Sequence, residues 1–164
     1  MSDPYDDDAD IPSADPAIRT EYEDALGRFI LAFNEVDYRV SQVIRSELTQ
    51  RERSDLAATA SNGPFAQRLE TLDILANTSK SGNLGPIPLA RLRSLNTDRN
   101  ALAHGHFDQN PFDGSYTLVL QKKRRDYPTE RVLTLTAELA EIADRLRITE
   151  ELYFFKNLDA EDRG

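Results

Sequence analysis

Residues 19–48 read RTEYEDALGRFILAFNEVDYRVSQVIRSEL, and this stretch decides the fold. Its apolar residues recur at alternating steps of four and three: Tyr22, Leu26, Phe29, Phe33, Val36, Val40 and Val43. This spacing predicts one long helix with an apolar stripe on one side. Ile30 and Ile44 widen the stripe to that of a helix packed in a bundle. The stripe therefore requires partner helices, from this chain or from a second copy.

Two further helices are predicted downstream. The first, which ends near Thr78, is predicted by four apolar residues with the same spacing: Phe65, Leu69, Leu72 and Ala76. The polar residues 49–62 before it fit a short helix or an irregular connection. After a loop, Pro86 and Pro88 stand where proline is tolerated at the start of a helix, and the helix that they open ends at Gly105.

The hydrophobic period changes after this helix. A β-hairpin is predicted where apolar residues alternate with their neighbours behind the turn signal Asp113-Gly114: Tyr116, Leu118 and Leu120. Another short strand is predicted over 131–135, and Thr136 is interpreted as the cap of a last helix that ends near Lys156. The predicted fold is therefore mainly α, a four- to five-helix bundle with a small β-hairpin insertion.

Composition predicts one domain. The 164 residues can bury a core without covalent links, and the absence of cysteine excludes disulfides and thiolate metal sites. Residues 1–18, rich in aspartate and proline, are predicted to be a disordered acidic tail before a helical domain over 19–158 and a flexible end over 159–164. The N-terminus lacks the features of a secretory signal, and no apolar run is long enough for a bilayer, so a cytoplasmic protein without membrane contact is expected.

The acidic charge is concentrated near the N-terminus. The chain has a formal net charge of -9 at pH 7, and residues 1–24 hold nine acids against one base, so the rest is nearly neutral. The tail is interpreted as a solubilising segment, with mimicry of nucleic acid over a basic site as the alternative. A compact basic run, Lys122-Lys123-Arg124-Arg125, lies in the nearly neutral part. A local anion site is therefore compatible with the bulk charge.

A polar motif ends the helix before Gly105, where residues 98–107 read DRNALAHGHF. Arg99 falls on the apolar stripe where a leucine is expected, and a charge at such a position needs a reason. Asn100 and His104 are four residues apart and share a neighbouring face. Gly105 is the residue type that ends helices in a left-handed cap. This motif is therefore the candidate functional site.

The residue types of the motif suit the cleavage of RNA. RNA carries its own nucleophile, the 2′-hydroxyl, so cleavage needs a group that moves protons and a cation that stabilises the charge on phosphorus. Histidine titrates near neutrality, and His104 could donate a proton to the leaving 5′ oxygen. Arg99 can bind two phosphate oxygens, and Asn100 can hold either partner in place. These three residues are the catalytic candidates.

Other residues are candidates for supporting roles. His106 and the basic residues 122–125 are candidates for substrate binding, although both fit a solvated surface as well. Glu35 and Asp37 flank the stripe of the long helix and could orient Arg99, with solvated side chains as the alternative. In the purely structural interpretation, Arg99 only pairs with one of these acids. Two histidines with scattered acids do not form a metal site, and no phosphate-binding glycine loop is present, so neither a metal nor an organic cofactor is expected.

The pattern Arg99-Asn100-x-x-x-His104 resembles the R-N-x-x-x-H signature of the HEPN superfamily (higher eukaryotes and prokaryotes nucleotide-binding). The resemblance covers roughly residues 19–157. It implies a helical bundle that dimerises and a metal-independent ribonuclease of the kind found in toxin, phage-defence and RNA-processing systems, with an antitoxin or another regulatory partner where the protein is a toxin. A HEPN subgroup is modified on a tyrosine two residues after the histidine, where this chain has His106, so that regulation is not expected.

Helix geometry adds a reason for a dimer. Residues five apart lie about 140° apart around a helix, so Arg99 and His104 of one chain do not point at one place. Two motif helices facing each other across a two-fold axis would line one cleft with two arginines and two histidines, as the resemblance also implies. The expected function is an endoribonuclease that leaves 2′,3′-cyclic phosphate ends. The alternatives are a non-catalytic module that binds RNA, nucleotide or protein, and a purely structural bundle.

Overall fold

The computed structural model describes residues 14–79, 82–85 and 87–161, with side chains to Phe155. Within these ranges the chain is mainly helical with a small antiparallel sheet, as predicted. None of these helices combines the length and the apolar character needed to cross a bilayer. The described residues form five helices and three strands, in chain order α1 (Pro16–Gln50), α2 (Ser54–Ser61), α3 (Phe65–Thr78), α4 (Leu89–His104), β1 (His106–Gln109), β2 (Tyr116–Leu120), β3 (Lys123–Asp126) and α5 (Thr129–Glu161).

The two long helices, α1 and α5, form the centre of the bundle. Arg39 Nη1 lies 3.0 Å from Glu150 Oε2, and farther along both helices the Tyr153 hydroxyl donates to Glu47. Because later residues of one helix meet later residues of the other, the two helices run in the same direction. Their facing sides form most of the core: Tyr22, Phe29, Phe33, Val36, Val40 and Val43 from α1, and Val132, Leu135, Leu139, Ile142 and Leu146 from α5.

Helices α3 and α4 cover another side of α1. Phe65 at the start of α3 contacts Phe33 with 4.9 Å between ring centroids, while Leu75 near its end accepts a hydrogen bond from Arg51 at 2.8 Å. Helix α3 is thus parallel to α1. Helix α4 runs the other way, because its later residue Asp98 meets the chain at Tyr127, just before α5 begins. The short α2 resolves the two alternatives for residues 49–62 in favour of a helix.

Helix α1 begins earlier than predicted. Its first residue is Pro16, and the side chain of Asp15 accepts a hydrogen bond from the Ala17 N–H at 2.9 Å. This side-chain cap and a proline in the first turn are both favourable at a helix start. Residues 14–18 therefore belong to the fold, since Ala14 N–H also donates to Pro111 O. The rest of the predicted acidic tail, residues 1–13, lies outside the described residues.

The sheet follows α4 directly and has the order β1-β2-β3. The predicted hairpin corresponds to β1 and β2. Leu118 of β2 is fully buried in the core, and the ring of Tyr116 stacks on Tyr22 with centroids 4.4 Å apart. Burial raises the pKa of Tyr22 to about 12. The sheet thereby packs against the beginning of α1 and shares the core of the bundle.

The basic run is divided between a turn and a strand. Gln121 and Lys122 have positive φ values of 50° and 64°, which are typical of a tight turn between antiparallel strands. Lys123–Asp126 is β3, a strand that the sequence interpretation did not include. This strand lacks the alternation of apolar and polar residues that predicts a strand. All its positions except Arg125 are exposed, so the fold requires no apolar residue there. An exposed edge strand of charged residues is common in proteins that avoid pairing with other chains.

The strand predicted over 131–135 is wrong, because these residues lie in the first turns of α5. Val132, Leu135 and Leu139 are spaced by three and four and are all buried, which is the helical period. Thr136 lies inside the helix and donates to Val132 O at 2.8 Å, so it is not a cap. The helix continues to Glu161, which makes residues 159–161 helical; residues 162–164 lie outside the described part.

Helix α4 ends at His104, as predicted, but the role of Gly105 differs from the prediction. Gly105 has φ −76° and ψ 158°, which is an extended conformation and not a left-handed cap. A Cβ at this position would overlap with Leu118 and lie 2.7 Å from Ala101 O. Glycine is therefore required for the close approach of β2 to the end of α4, and not for its conformational freedom.

Candidate functional site

Arg99 lines a cleft between α1, α3 and α4 with a volume of about 410 Å³. Helix α1 contributes Phe33, Asn34 and Asp37 to its walls, the start of α3 contributes Phe65 and Arg68, and α4 contributes Asn96, Arg99 and Asn100. Arg99 is half-buried, and its guanidinium lies 5.7 Å from the centre of the Phe33 ring. The arginine on the apolar stripe thus places its stem against the core and its charge at the mouth of the cleft.

The partners of Arg99 distinguish it from the other arginines of α4. Arg91 binds both carboxylate oxygens of Glu138 at 2.6 Å, and Arg93 lies 2.7 Å from Asp73. Arg99 Nη1 donates at 3.1 Å to the neutral amide oxygen of Asn100, and Arg99 forms no ion pair with any described residue. Its positive charge is therefore uncompensated by the part of the chain that the structure describes.

The other charges of the cleft neutralise each other. Arg68 is buried, and its guanidinium donates to the carboxylate of Asp37, to the Ser41 hydroxyl and to Gly63 O. Asp37 and Arg68 thus form a satisfied pair at one wall. Helix α3 begins beside them without a side-chain cap, so its first N–H groups add positive potential to the cleft. Arg99 is the charge that such a site offers to an anion.

Asp98 attaches α4 to the segment that precedes α5. Its carboxylate accepts a hydrogen bond from the Tyr127 hydroxyl at 2.6 Å, and Arg131 lies over the Tyr127 ring, 4.2 Å from its centre. Burial raises the pKa of Tyr127, and the hydrogen bond to Asp98 adds to this increase. Asp98, the first residue of the motif, is thereby held at the start of α5. The next residue, Arg99, lines the cleft.

The structure brings Arg99 and Asn100 together but leaves His104 apart from them. His104 is the exposed last residue of α4 and lies outside the set of residues that line the cleft. This separation agrees with the angle expected for residues five apart on a helix. Within one chain, therefore, the imidazole does not share the Arg99 cleft.

The candidates for substrate binding lie on the sheet. His106 of β1 is opposite Val119, which is opposite Arg124 of β3, so His106 and Arg124 share one outer face. His106 is 79% exposed, and its Nε2 lies 3.1 Å from Asp108 Oδ1. Lys122 and Lys123 are exposed at the adjoining turn, whereas Arg125 is half-buried in line with Leu118. None of these described side chains lines the cleft.

The two acids proposed to orient Arg99 bind other arginines. Glu35 accepts a hydrogen bond from Arg39 at 2.7 Å, one turn along the same helix. Arg39 also reaches Glu150, whose pKa is raised by burial although Arg39 opposes this effect. Asp37 does line the cleft, but its partner is Arg68. The prediction that these acids orient Arg99 is therefore not supported, because α1 and α3 supply nearer cations.

Seven cleft residues were not among the sequence-derived site candidates: Phe33, Asn34, Pro64, Phe65, Ala66, Arg68 and Asn96. One signal for Asn96 was present, because it stands four residues before Asn100 and so shares a helix face with it. Arg68 had no such signal, since an arginine beside the apolar Leu69 is ordinarily solvated. Only the packing of α3 against α1 makes it part of a wall.

Within the described residues, no group of three histidine, aspartate or glutamate side chains lies close enough to hold a metal ion. Comparison of this chain with protein-family models, with curated proteins and with solved structures found no match.

Proposed function

We propose that this protein is a metal-independent endoribonuclease of HEPN type, with an active site formed by Arg99, Asn100 and His104 of two chains. The observation that carries the proposal is the guanidinium of Arg99, which lines an open cleft and, among the described residues, hydrogen-bonds to the Asn100 amide and forms no ion pair, while Arg91 and Arg93 of the same helix are neutralised. A cation left without a counter-charge in a concave site is suited to a phosphate.

The proposed reaction uses the nucleophile of the RNA itself. The 2′-oxygen forms a bond to the adjacent phosphorus, the bond from phosphorus to the 5′-oxygen breaks, and the products carry a 2′,3′-cyclic phosphate and a 5′-hydroxyl. The proton of the 2′-hydroxyl passes to solvent water, and His104 of the second chain donates a proton to the leaving oxygen. Arg99 stabilises the charge that develops on the phosphate oxygens, and Asn100 holds its guanidinium in place.

The proposed homodimer accounts for the position of His104. In one chain His104 is exposed at the end of α4 and outside the Arg99 cleft. A two-fold axis beside α4 would bring the histidine of each chain towards the arginine of the other. If no second chain completes the site, the position of His104 outside the Arg99 cleft favours the alternative. This alternative is a non-catalytic module that binds RNA, nucleotide or protein.

The test of catalysis is an assay on single-stranded RNA in EDTA. We expect wild type to cleave and Arg99→Ala to lose about 10²- to 10³-fold in rate. His104→Ala should lose about 10²- to 10⁴-fold. Arg93→Ala is the matched control, because it removes an arginine of the same helix that is already neutralised. RNA binding without cleavage would favour the non-catalytic module. A protein that neither cleaves nor binds RNA would contradict the proposal.

The composite site has a test of its own. When Arg99→Ala and His104→Ala chains are mixed and allowed to exchange subunits, about half of the dimers are mixed and each keeps one arginine and one histidine, so roughly a quarter of the activity should return. Sedimentation of the mixture measures the dimer directly. A mixture that stays as inactive as its components, although the chains do exchange, would contradict a site shared between subunits.

A further inference from the structure

We propose that the Arg99 cleft is also a base-reading subsite, which seats an unpaired nucleobase beside the phosphate held by Arg99. The inference rests on the proposed function and adds the part of the substrate that the cleft recognises. A volume of about 410 Å³ is within the range of pockets that hold small organic groups, and it exceeds what one phosphate needs. The polar side chains of the cleft that bind no other described residue indicate what fills the volume beyond the phosphate.

Two asparagine side chains supply these groups. Asn34 of α1 and Asn96 of α4 both line the cleft, and neither amide forms a hydrogen bond with a described residue. The amides of other asparagines are engaged: Asn62 with Arg45, Asn77 with Asp73, Asn100 with Arg99 and Asn110 with Phe112. The two amides that bind no described residue, exposed Asn34 and half-buried Asn96, thus come from different helices and line one cavity.

An amide has the hydrogen-bonding character of a base edge. Each carboxamide offers two donors and one acceptor without a net charge, which matches the mixed donor and acceptor pattern of nucleobases. Asp37 and Arg68 cannot take this role, because they satisfy each other. An unpaired base exposes the edge that these amides would contact, whereas a paired one does not.

The cleft also offers a flat surface to such a base. The Phe33 and Phe65 rings meet edge to face beneath it and are 2% and 9% exposed, so they shape its floor but leave little ring surface free. The central carbon of the planar Arg99 guanidinium lies over the Phe33 ring, 5.7 Å from its centre. Bases stack on arginine planes as well as on aromatic rings, so Arg99 can contact both the phosphate and the base next to it.

Binding of uncleavable oligonucleotides tests this inference separately from catalysis. Uniform 2′-O-methyl oligonucleotides of each base lack the nucleophile, and fluorescence anisotropy in lithium buffer measures their affinity without guanine quadruplexes. We expect one base to bind at least about fivefold more tightly than the weakest. Asn34→Ala/Asn96→Ala should remove this difference, and Arg99→Ala should weaken all four oligonucleotides. Asn77→Ala is the control, since Asn77 lies on α3 outside the cleft.

Each outcome bears on the inference. Equal affinity of wild type for the four oligonucleotides, no binding to any of them, or a preference that survives in a folded Asn34→Ala/Asn96→Ala chain would overturn the base-reading subsite. Circular dichroism of the double variant, compared with the single variants Asn34→Ala and Asn96→Ala, establishes that the double variant is folded. A preference that depends on both asparagines, in a protein that never cleaves RNA, would support the subsite and contradict only the nuclease.

Discussion

Gly105 stands where β2 crosses the end of α4, and the position has no room for a side chain. Its backbone is in an ordinary extended conformation, so any residue could adopt it in isolation. The constraint comes from Leu118 and from Ala101 O, which occupy the space of a Cβ. A glycine in the sequence beside a histidine indicated a helix end correctly, but the reason for it depends on the tertiary contact.

Substitution of this glycine should therefore act through overlap. Gly105→Ala is expected to lower the free energy of unfolding by about 1–3 kcal/mol, because the new methyl group displaces β2. Gly27→Ala is the control: nothing lies within 4 Å of its Cβ inside α1, so alanine should raise stability there by roughly 1 kcal/mol. Urea unfolding measures both. A double-mutant cycle with Leu118→Ala that shows no coupling would contradict the proposed overlap.

Arg99 shows how far residue types alone could indicate the site. The sequence indicated that an arginine lies on a buried stripe, and the structure places it half-buried on Phe33. What the sequence did not contain is its surroundings. Asn34 is far away in the chain and lies in the same cleft only because α1 and α4 pack together. Sites made of residues from several elements require the packing to be known.

At the scale of elements, two contacts attach α4 to the segment that begins α5. Arg91 binds Glu138 through both carboxylate oxygens, and Tyr127 binds Asp98. The hydrogen bond from Arg91 holds the pKa of the Glu138 carboxyl below its ordinary value of 4.5. A lowered pKa means that the folded state favours the charged carboxylate, so this contribution to stability exists above pH 4.5 and is lost as the pH falls through the folded pKa.

Neutralising this carboxylate should have a pH-dependent effect. Glu138→Gln is expected to lower the free energy of unfolding by about 0.5–1 kcal/mol at pH 7, since the pair is only partly buried. The difference from wild type should shrink as the pH falls from 4.5 through the lower folded pKa, because the carboxylate is then protonated first in the unfolded and afterwards in the folded chain. Denaturant unfolding across this pH range measures the difference. Glu141→Gln, on an exposed position of α5, is the control, and a pH-independent loss would contradict the ionic origin.

Elements with a clear hydrophobic period were predictable, and those without one were not. The stripe of α1 was sufficient for its existence and nearly for its bounds, which moved by only a few residues through the cap at Asp15. Residues 131–135 were misassigned because Val132 and Leu135 lie in a short window with several β-branched residues. Strand β3 carried no apolar signal, since it is formed by the charged residues 123–126 at a sheet edge.

At the scale of the whole molecule, the bundle and the sheet share one core. Leu118 of β2 belongs to the same cluster of buried residues as Leu139 of α5 and Phe29 of α1. The sheet and both long helices therefore contribute to one cluster of buried side chains. A domain with one contiguous core is expected to unfold in a single cooperative transition.

Loss of a core side chain in the sheet should thus destabilise all the helices. Leu118→Ala is expected to lower the free energy of unfolding by about 2–5 kcal/mol, as is Leu139→Ala in α5. Far-ultraviolet circular dichroism reports the helices, and tyrosine signals report the stacked Tyr22 and Tyr116. Both probes should give one midpoint in each variant. Leu31→Ala, at a largely exposed position, should change stability by less than about 0.5 kcal/mol.

A sheet that unfolds before the helices in Leu118→Ala would contradict this cooperative description. The two tyrosine rings would then lose their signal at a lower denaturant concentration than the helical signal. Leu139→Ala provides the comparison, since the same separation in that variant would indicate that the sheet is always the weaker part.

Asp98 and Arg99 are consecutive, so their side chains leave α4 about 100° apart. Tyr127 holds one and the Phe33 ring supports the other, and together they resist torsion of the helix about its own axis. An occupant that draws the guanidinium away from Phe33 would exert a torque that reaches the Tyr127 hydroxyl. The rate of amide hydrogen exchange in the first turn of α5 should then change when the cleft is occupied.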